Sequence, residues 1–342
     1  MKTTEYYISS LISRVSPRVL TLCLVVLFAL SAGFRSHAQS DPQMTQYWAL
    51  PSYYNPAAAG STDFLRIRGG ARMQWLGIEN APRSFILSAD MPVALMGKKL
   101  GVGVNATSES LGLFSTMLIN IQANYKFKIL KGALSVGVQG GYYDSHFKGT
   151  EVFIPDGDDY HEPTDPSIPT QDLAGNTFDL SAGLNYSHKY FDIGISALHI
   201  LQPKVTLGID GSETSDAAEY ETELPRMFYF TSSGNIPLKN TLFILQPSLL
   251  VKTDLTSFSA EVTMRTTFNK FLSFGIGYRW KDAVSAMIGA EFKNFFVGYA
   301  YDYPVSAIAK GSSGSHEIVA GYSLKLDFSK KNKNKHRSIR IM

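Results

Sequence analysis

From residue 64 onward, the chain alternates between apolar positions and small or polar ones. In the stretch 176–188, Phe178, Leu180, Ala182, Leu184 and Tyr186 share one face, and Asp179, Ser181, Gly183, Asn185 and Ser187 share the other. Near the end, Ile318, Ala320, Tyr322, Leu324, Leu326 and Phe328 oppose Glu317, Gly321, Ser323, Lys325 and Asp327, with Val319 out of pattern. Phe295, Val297, Tyr299, Tyr301 and Tyr303 likewise oppose Gly298, Ala300 and Asp302. A period of two marks extended strands. The runs predict fourteen of them, at about 64–75, 82–92, 99–110, 115–128, 133–146, 176–188, 190–202, 225–235, 241–252, 256–268, 271–280, 283–293, 294–303 and 315–328. Most are long enough for a tilted strand to cross a hydrocarbon layer.

The connections alternate in length. Even-numbered strands end in tight turns, each carrying a lysine: Gly97-Lys98-Lys99, Leu130-Lys131-Gly132, His188-Lys189, Leu238-Lys239-Asn240, Asn269-Lys270 and Lys293-Asn294. Odd-numbered strands mostly end in longer loops, at 76–81, 147–175, 203–224 and 304–314. Short turns on the periplasmic side and long loops outside are the plan of an outer-membrane barrel. A soluble β-sandwich or propeller needs its apolar faces turned into a core. Here the face opposite the apolar one is largely Gly, Ser, Asn, Asp and Lys, which suits a polar lumen inside a lipid-facing wall. In lipid every backbone group must be paired, so the sheet has to close on itself. The expected fold class is all-β: a transmembrane antiparallel β-barrel of about 14 strands (64–328), multi-pass in the cell outer membrane, with both termini periplasmic.

Residues 39–63 depart from the alternation. The stretch 40–60 is aromatic and proline-punctuated and has no clear period. Leaving it wholly in water is costly. It is expected to plug the lumen, pack on the periplasmic rim or form a docking surface for a partner.

Ahead of it, residues 1–38 read as a cleaved signal peptide. Lys2, Arg14 and Arg18 face a single acid, Glu5; an apolar run follows over 19–34; Ser36-His37-Ala38 is a small-x-small cut site, giving Gln39 as the expected first mature residue. The apolar run is shorter than the ~20 residues of a spanning helix. The single cysteine, Cys23, lies within this segment, so the mature chain is expected to form no disulfide and no thiolate site. Removing 1–38 also changes the charge. The body 39–329 has 22 basic and 28 acidic residues, a net of −6, while 329–342 is a tail with six basic residues and no acid. The body offers no basic face for nucleic acid. A tail in the periplasm could attract an acidic partner; the plainer reading is a solubilising end.

No catalytic constellation emerges. His316-Glu317 lacks the second histidine of a zinc-protease helix. The mature-chain histidines, His146, His161, His188, His199, His316 and His336, are scattered and read as solvated residues. Gly101-Val102-Gly103 and Gly275-Ile276-Gly277 open no helix, so they read as glycines of a curved wall and not as phosphate loops. The loop 151–172 holds seven acids and no Lys or Arg. Its Asp156-Gly157-Asp158-Asp159 could collect Ca²⁺ but lacks EF-hand spacing, so a solvated acidic loop is the expectation and no cofactor is assigned.

The start of the mature chain carries a more specific signal. Asp41-Pro42-Gln43-Met44-Thr45-Gln46-Tyr47 and Tyr54-Asn55-Pro56-Ala57-Ala58-Ala59-Gly60-Ser61 resemble the opening of the PorP/SprF family. Arg72-Met73-Gln74-Trp75 and Ala81-Pro82-Arg83-Ser84 continue the likeness, as do Gly298-Tyr299-Ala300-Tyr301-Asp302-Tyr303, Gly314-Ser315-His316-Glu317-Ile318 and Gly321-Tyr322 near the end. Trp48 and the lysine-rich extension depart from the family pattern. The resemblance implies a non-enzymatic outer-membrane component of the type IX protein secretion system, of the gliding-motility and adhesin-export type. It implies partners in the PorK/PorN-type ring, peptidoglycan-binding lipoproteins and cargo C-terminal domains, besides outer-membrane lipid. The partner-binding candidates it marks are Asp41, Pro42, Gln43, Thr45, Gln46, Tyr47, Asn55, Pro56, Gly60, Arg72, Gln74 and Trp75. A bare barrel is also compatible with a porin or solute transporter, and with a membrane-embedded hydrolase, because fold does not fix function.

Overall fold

The computed structural model describes residues 41–95, 98–152, 169–209, 220–238 and 242–326. The expected signal peptide, the Asp156–Asp159 part of the acidic loop and the basic tail lie outside these residues. Fourteen strands form the wall. They are β1 (Phe64–Met73), β2 (Arg83–Leu95), β3 (Lys98–Leu111), β4 (Phe114–Ile129), β5 (Gly132–Phe147), β6 (Leu173–Ser187) and β7 (Phe191–Leu198), followed by β8 (Met227–Gly234), β9 (Phe243–Thr253), β10 (Phe258–Phe268), β11 (Leu272–Arg279), β12 (Ala283–Phe292), β13 (Phe295–Pro304) and β14 (Ser315–Lys325). Chain neighbours are neighbours in the wall, and all pairings are antiparallel. β14 pairs with β13 on one side and with β1 on the other, from Phe64↔Lys325 to Met73↔His316, so the sheet closes and leaves no free edge.

The side chains are distributed inside out relative to a soluble protein. Along β6, Phe178 and Leu180 are 75% and 43% exposed, while the intervening Asp179 and Ser181 are 4% and 0% exposed. Ile121, Ile276, Phe295 and Val297 face outward in the same way; Asn120, Gln122, Glu261 and Thr263 are buried. A one-residue slip in a strand would turn its lumen-facing polar groups into lipid, so this alternation fixes the register. Two of the tight turns place consecutive residues in left-handed backbone, Leu130 (φ 48) with Lys131 (φ 62) and Asn269 (φ 50) with Lys270 (φ 56). That geometry matches the twist of the flanking strands and reverses the chain at little cost in length.

Three details differ from the alternation pattern. β7 stops at Leu198, short of 202, because His199 (φ 53) and Gln202 (φ 47) leave the extended region. The chain there enters a two-stranded ribbon, Lys204–Ile209 with Tyr220–Glu223, whose Val205 and Leu207 pack with Leu173 over the ends of β5 and β6. The connection from β3 to β4 is only Gly112 (φ 60) and Leu113, although it follows an odd strand. β14 ends at Lys325, ahead of 328.

Apolar side chains that face inward are the exceptions to the alternation. Ile86, Leu250, Phe296 and Val319 lie on the lumen side, where they form one cluster with Met44, Leu50, Tyr53 and Tyr54. Val319 breaks the pattern in sequence because it meets the segment that precedes β1.

Candidate functional site

That segment, from Asp41 to Gly60, lies inside the barrel. Every residue in it is buried except Trp48 and Pro51, which are half-buried. It folds as three short turns of helix: Tyr47–Ala49, Pro51–Tyr54 and Pro56–Ala58. Pro51 and Pro56 open two of these, at positions where a missing N–H costs nothing and the fixed φ is already helical. Asn55 caps the last one, its Oδ1 accepting from Ala57 N at 2.9 Å while its Nδ2 donates to the Leu184 carbonyl of the wall at 2.9 Å. Much of the backbone demand is thus met within the segment, and the wall side chains meet more of it.

The wall is thinned to admit it. A Cβ on Gly101 would collide with the Ala59 carbonyl, one on Gly183 with the Asn55 side chain, and one on Gly298 with Gln46. On Gly137 it would lie 2.6 Å from Ala57 Cα and 2.7 Å from Pro56 C. Gly101 therefore does more than curve the wall. It is a place where the backbone of the lumen segment approaches a strand.

Two polar anchors hold the start of the segment. In the first, the Glu317 carboxylate accepts the Thr45 N–H at 2.6 Å and the Gln46 N–H at 2.8 Å. Arg72 forks to Asp302 at 2.7 Å and Glu317 at 3.2 Å, and Arg279 pairs with Glu261 at 2.9 Å and Asp302 at 3.4 Å. Both guanidinium groups also donate to Thr45 Oγ1, which in turn donates to Asp302. Gln43 Nε2 reaches Glu261 at 3.1 Å. These charges are buried, and such burial is tolerable only when nearly every lone pair and proton is matched.

The second anchor is a histidine between two carboxylates. His199 Nε2 lies 3.0 Å from Asp41 Oδ1, and Nδ1 lies 3.0 Å from Asp179 Oδ2. Tyr229 donates to the other Asp41 oxygen at 2.7 Å. An imidazole with an ionised carboxylate at each of its two ring nitrogens has to donate from both, which requires the imidazolium. Burial disfavours that charge, but the charges and hydrogen bonds of Asp41 and Asp179 outweigh it and push His199 up to about 10. Burial alone would raise Asp41; the His199 charge and the bonds from His199 and Tyr229 hold it below the usual value instead. His199 was expected to be solvated and is in fact 2% exposed.

At its far end the segment is tied down again. Gly60 N donates to Asp90 Oδ2 at 2.6 Å, Lys126 Nζ donates to the Gly60 carbonyl, and Asn124 bonds the Pro56 and Ala59 carbonyls at 3.0 and 2.8 Å. Asp90, Asn124 and Lys126 belong to the short-turn ends of β2 and β4, whereas Arg72, Asp302 and His199 belong to the long-loop end. The segment therefore runs the length of the lumen. Phe64 and Lys325 are register partners at the short-turn end, but Asp41 is seated at the opposite end. The first described residues and the last therefore lie at opposite ends of the barrel.

A family model described as "Type IX secretion system membrane protein PorP/SprF" matches residues 36–322. The chain belongs to this family. Within the PorP/SprF match lie both the lumen segment and the wall residues that seat it. Of the candidates marked in sequence, Asp41, Pro42, Gln43, Thr45, Gln46, Tyr47, Asn55, Pro56 and Gly60 are in the segment itself, and Arg72 is its main anchor. Pro42 accepts from the Tyr53 hydroxyl at 3.4 Å, and the Tyr47 hydroxyl donates to Ser248 at 3.1 Å. Gln74 and Trp75 are placed elsewhere: Gln74 N bonds the Pro82 carbonyl and Trp75 N bonds Ser315 Oγ, which fastens the β1–β2 loop to β14. Sequence reasoning missed His199, Asp179, Glu261 and Arg279. The available signal was charge on the lumen-facing side of strands that are otherwise Gly, Ser and Asn.

No curated protein matches the chain. Similar solved structures include the outer membrane protein Omp33 of Acinetobacter baumannii (5% identity, TM-score 0.42, 77% of this chain and 98% of that one). Others are a Pseudomonas aeruginosa FadL homologue (9%, 0.45, 81% and 94%) and the Ralstonia pickettii toluene transporter TbuX (11%, 0.45, 80% and 93%).

Proposed function

We propose that this outer-membrane component of type IX secretion is non-enzymatic and works by binding cargo or other subunits of the machine, with residues 41–60 as its plug and docking segment. The observation that carries the reading is where the family's opening motif goes. Its polar side chains and backbone donors are spent on the barrel's own wall, through Glu317, Arg72, Asp90 and His199. A motif kept for an external partner alone would have no need of this seat. Seated, the segment closes the lumen. Released, it exposes both its own motif and the acidic and basic groups that held it. The partners in view are cargo C-terminal domains, the PorK/PorN-type ring and peptidoglycan-binding lipoproteins. The short turns and the tail 329–342 face the periplasm in this reading.

The test is deletion of residues 41–60. The barrel should still insert in the outer membrane, and secretion should stop. Secretion at the normal level from the deleted chain refutes the plug-and-docking role. A plain porin would instead give steady solute conductance from the intact chain in a planar bilayer.

A further inference from the structure

Beside the plug, at the short-turn end, lies a cavity of ≈ 420 Å³. It is lined on one side by Trp48 and on the others by Arg66 and Arg68 of β1, Arg265 of β10, Lys270 of the β10–β11 turn and Glu291 of β12. Four cations thus face one carboxylate. Among the described residues, Arg66 alone of these four is matched by an ion pair, to Asp90 at 2.8 Å. Arg265 sits over the Trp48 ring, its guanidinium carbon 3.3 Å from the ring centroid. Stacking occupies the face of a guanidinium and leaves its in-plane donors free for a second group. Three buried donors of residues on this cavity have no hydrogen-bond acceptor among the described residues: Trp48 Nε1, Arg66 Nε and Arg265 Nε. Arg68 donates to Ser323 Oγ at 2.9 Å and to the Ile67 carbonyl at 3.3 Å and sits 5.6 Å from the Phe296 centroid, which uses two of its five N–H donors.

The surroundings carry the same sign. Lys99, Lys131, Lys189, Lys270 and Lys293 are exposed around this end of the barrel. Against them stand Asp63, which pairs with Lys99 at 3.5 Å, Asp192 and Glu291. β14 also ends here, and the chain after it carries six further basic residues in 329–342 with no acid. Unpaired donors, excess positive charge and two aromatic faces describe a receptor for a carboxylate. The volume is in the range of ligand sites, about 300–1,000 Å³, and exceeds what a single carboxylate fills.

We propose that this cavity binds an acidic peptide segment that enters from the short-turn side, with its carboxylates on Arg265, Arg68 and Lys270 and a backbone or side-chain acceptor on Trp48 Nε1. The basic rim collects the peptide by long-range attraction, and the stacked Arg265 fixes a carboxylate in plane by paired N–H donors. The site deepens the reading of a subunit-binding component by naming the chemistry of what is bound. It can fail alone, because peptide binding is measured without secretion.

The experiment uses the full mature chain in detergent micelles, with labelled hexaglutamate as probe and hexaglutamine and inorganic phosphate as competitors. Folding is checked in each variant by heat-dependent gel mobility. Hexaglutamate should bind, more weakly as salt rises, and hexaglutamine should not compete. Arg265→Gln and Arg68→Gln should each weaken binding by at least about ten-fold, or ~1.4 kcal/mol. Arg265→Lys keeps the charge but not the fork and should also weaken it, which covers the case in which the glutamine variant fails to fold. Neutralising the six tail cations should have a smaller effect. The proposal is overturned if hexaglutamate does not bind. It is equally overturned if binding survives the arginine changes but not the tail change, or if phosphate binds and hexaglutamate does not.

Discussion

His199 and Asp41 face each other at 3.0 Å at the long-loop end of the lumen, with Asp179 behind the imidazole at the same distance. The pair joins the first described residue of the chain to the exit of β7, 158 residues later. Its strength depends on pH, and the sign can be worked out. His199 is raised from 6.5 to about 10, so its contribution is complete below about pH 6.5 and is lost as pH climbs through 10. Asp41 is held below its ordinary 3.8, so its contribution is present above that value and is lost as pH falls further. The anchor should therefore be firmest between about pH 4 and 6.5. Denaturant midpoints of the wild type and His199→Asn, compared across pH, check this. Their difference should be largest near pH 5–6 and should shrink steadily toward pH 10. A difference that stays constant over that range means the imidazolium is not what holds Asp41.

Arg72 is the hub of the other anchor, touching Thr45, Asp302 and Glu317. Arg72→Met leaves Glu317 buried and without its cation, although Asp302 retains Arg279. Removing one partner of a buried pair costs about 3–5 kcal/mol. The loss should be visible as a lowered midpoint with an unchanged denaturant slope. Combining Arg72→Met with Glu317→Gln removes the stranded charge as well. The double variant should then fall short of the summed single losses by roughly 0.5–3 kcal/mol. Simple additivity would show that Arg72 and Glu317 do not act together.

How much of this was open to sequence reasoning depends on the range of each interaction. Alternation is local, so the strands and their lipid-facing sides were legible to within a few residues, as in β5 and β13. Turn chemistry is local too, and Asn269-Lys270 reads as a hairpin. The lumen is not local. Thr45 meets Glu317 across 272 positions, and no period links them. Val319 and Ile86 were the visible traces, apolar residues on a polar face, and each marks the footprint of the segment. The family likeness marked the segment and Arg72 but not their counterparts Glu261, Arg279 and Asp179. His199 was misread because a strand-end histidine is usually wet. Only the register of β6 with β7 brings it beside Asp179.

The glycines of the wall give a test of the lumen filling that avoids the charged groups. Gly137 and Gly140 are three positions apart on β5 and face opposite ways: a Cβ on Gly137 runs into the backbone of Pro56 and Ala57, and one on Gly140 meets nothing within 4 Å. Gly137→Val has no flexible side chain to push aside and must displace the segment. Both variants should insert. In planar bilayers Gly137→Val should conduct well above wild type, and Gly140→Val should match wild type. Equal conductance in the two would mean that the segment does not seal the lumen against β5.

The direction of the segment makes one more prediction. Asp41 lies with the long loops and Lys325 with the short turns, so tags at the two ends should be separated by the whole membrane. Because the wall closes between them, neither tag can reach the other side without unseating the segment. An epitope placed just before Asp41, after the expected cut site, should be accessible on whole cells if the long loops face outward. One appended to residue 342 should need permeabilised cells. Proteolysis of whole cells should likewise cut within 151–172 and spare 330–342. The Arg72→Met and His199→Asn changes should lower surface access of the first epitope, because a released segment is free to swing toward the short-turn end, where it remains tied to β1. If both epitopes are reached from the same side in the wild type, the segment does not run through the lumen as described and the seat built by Glu317 and His199 is not the resting state in the membrane.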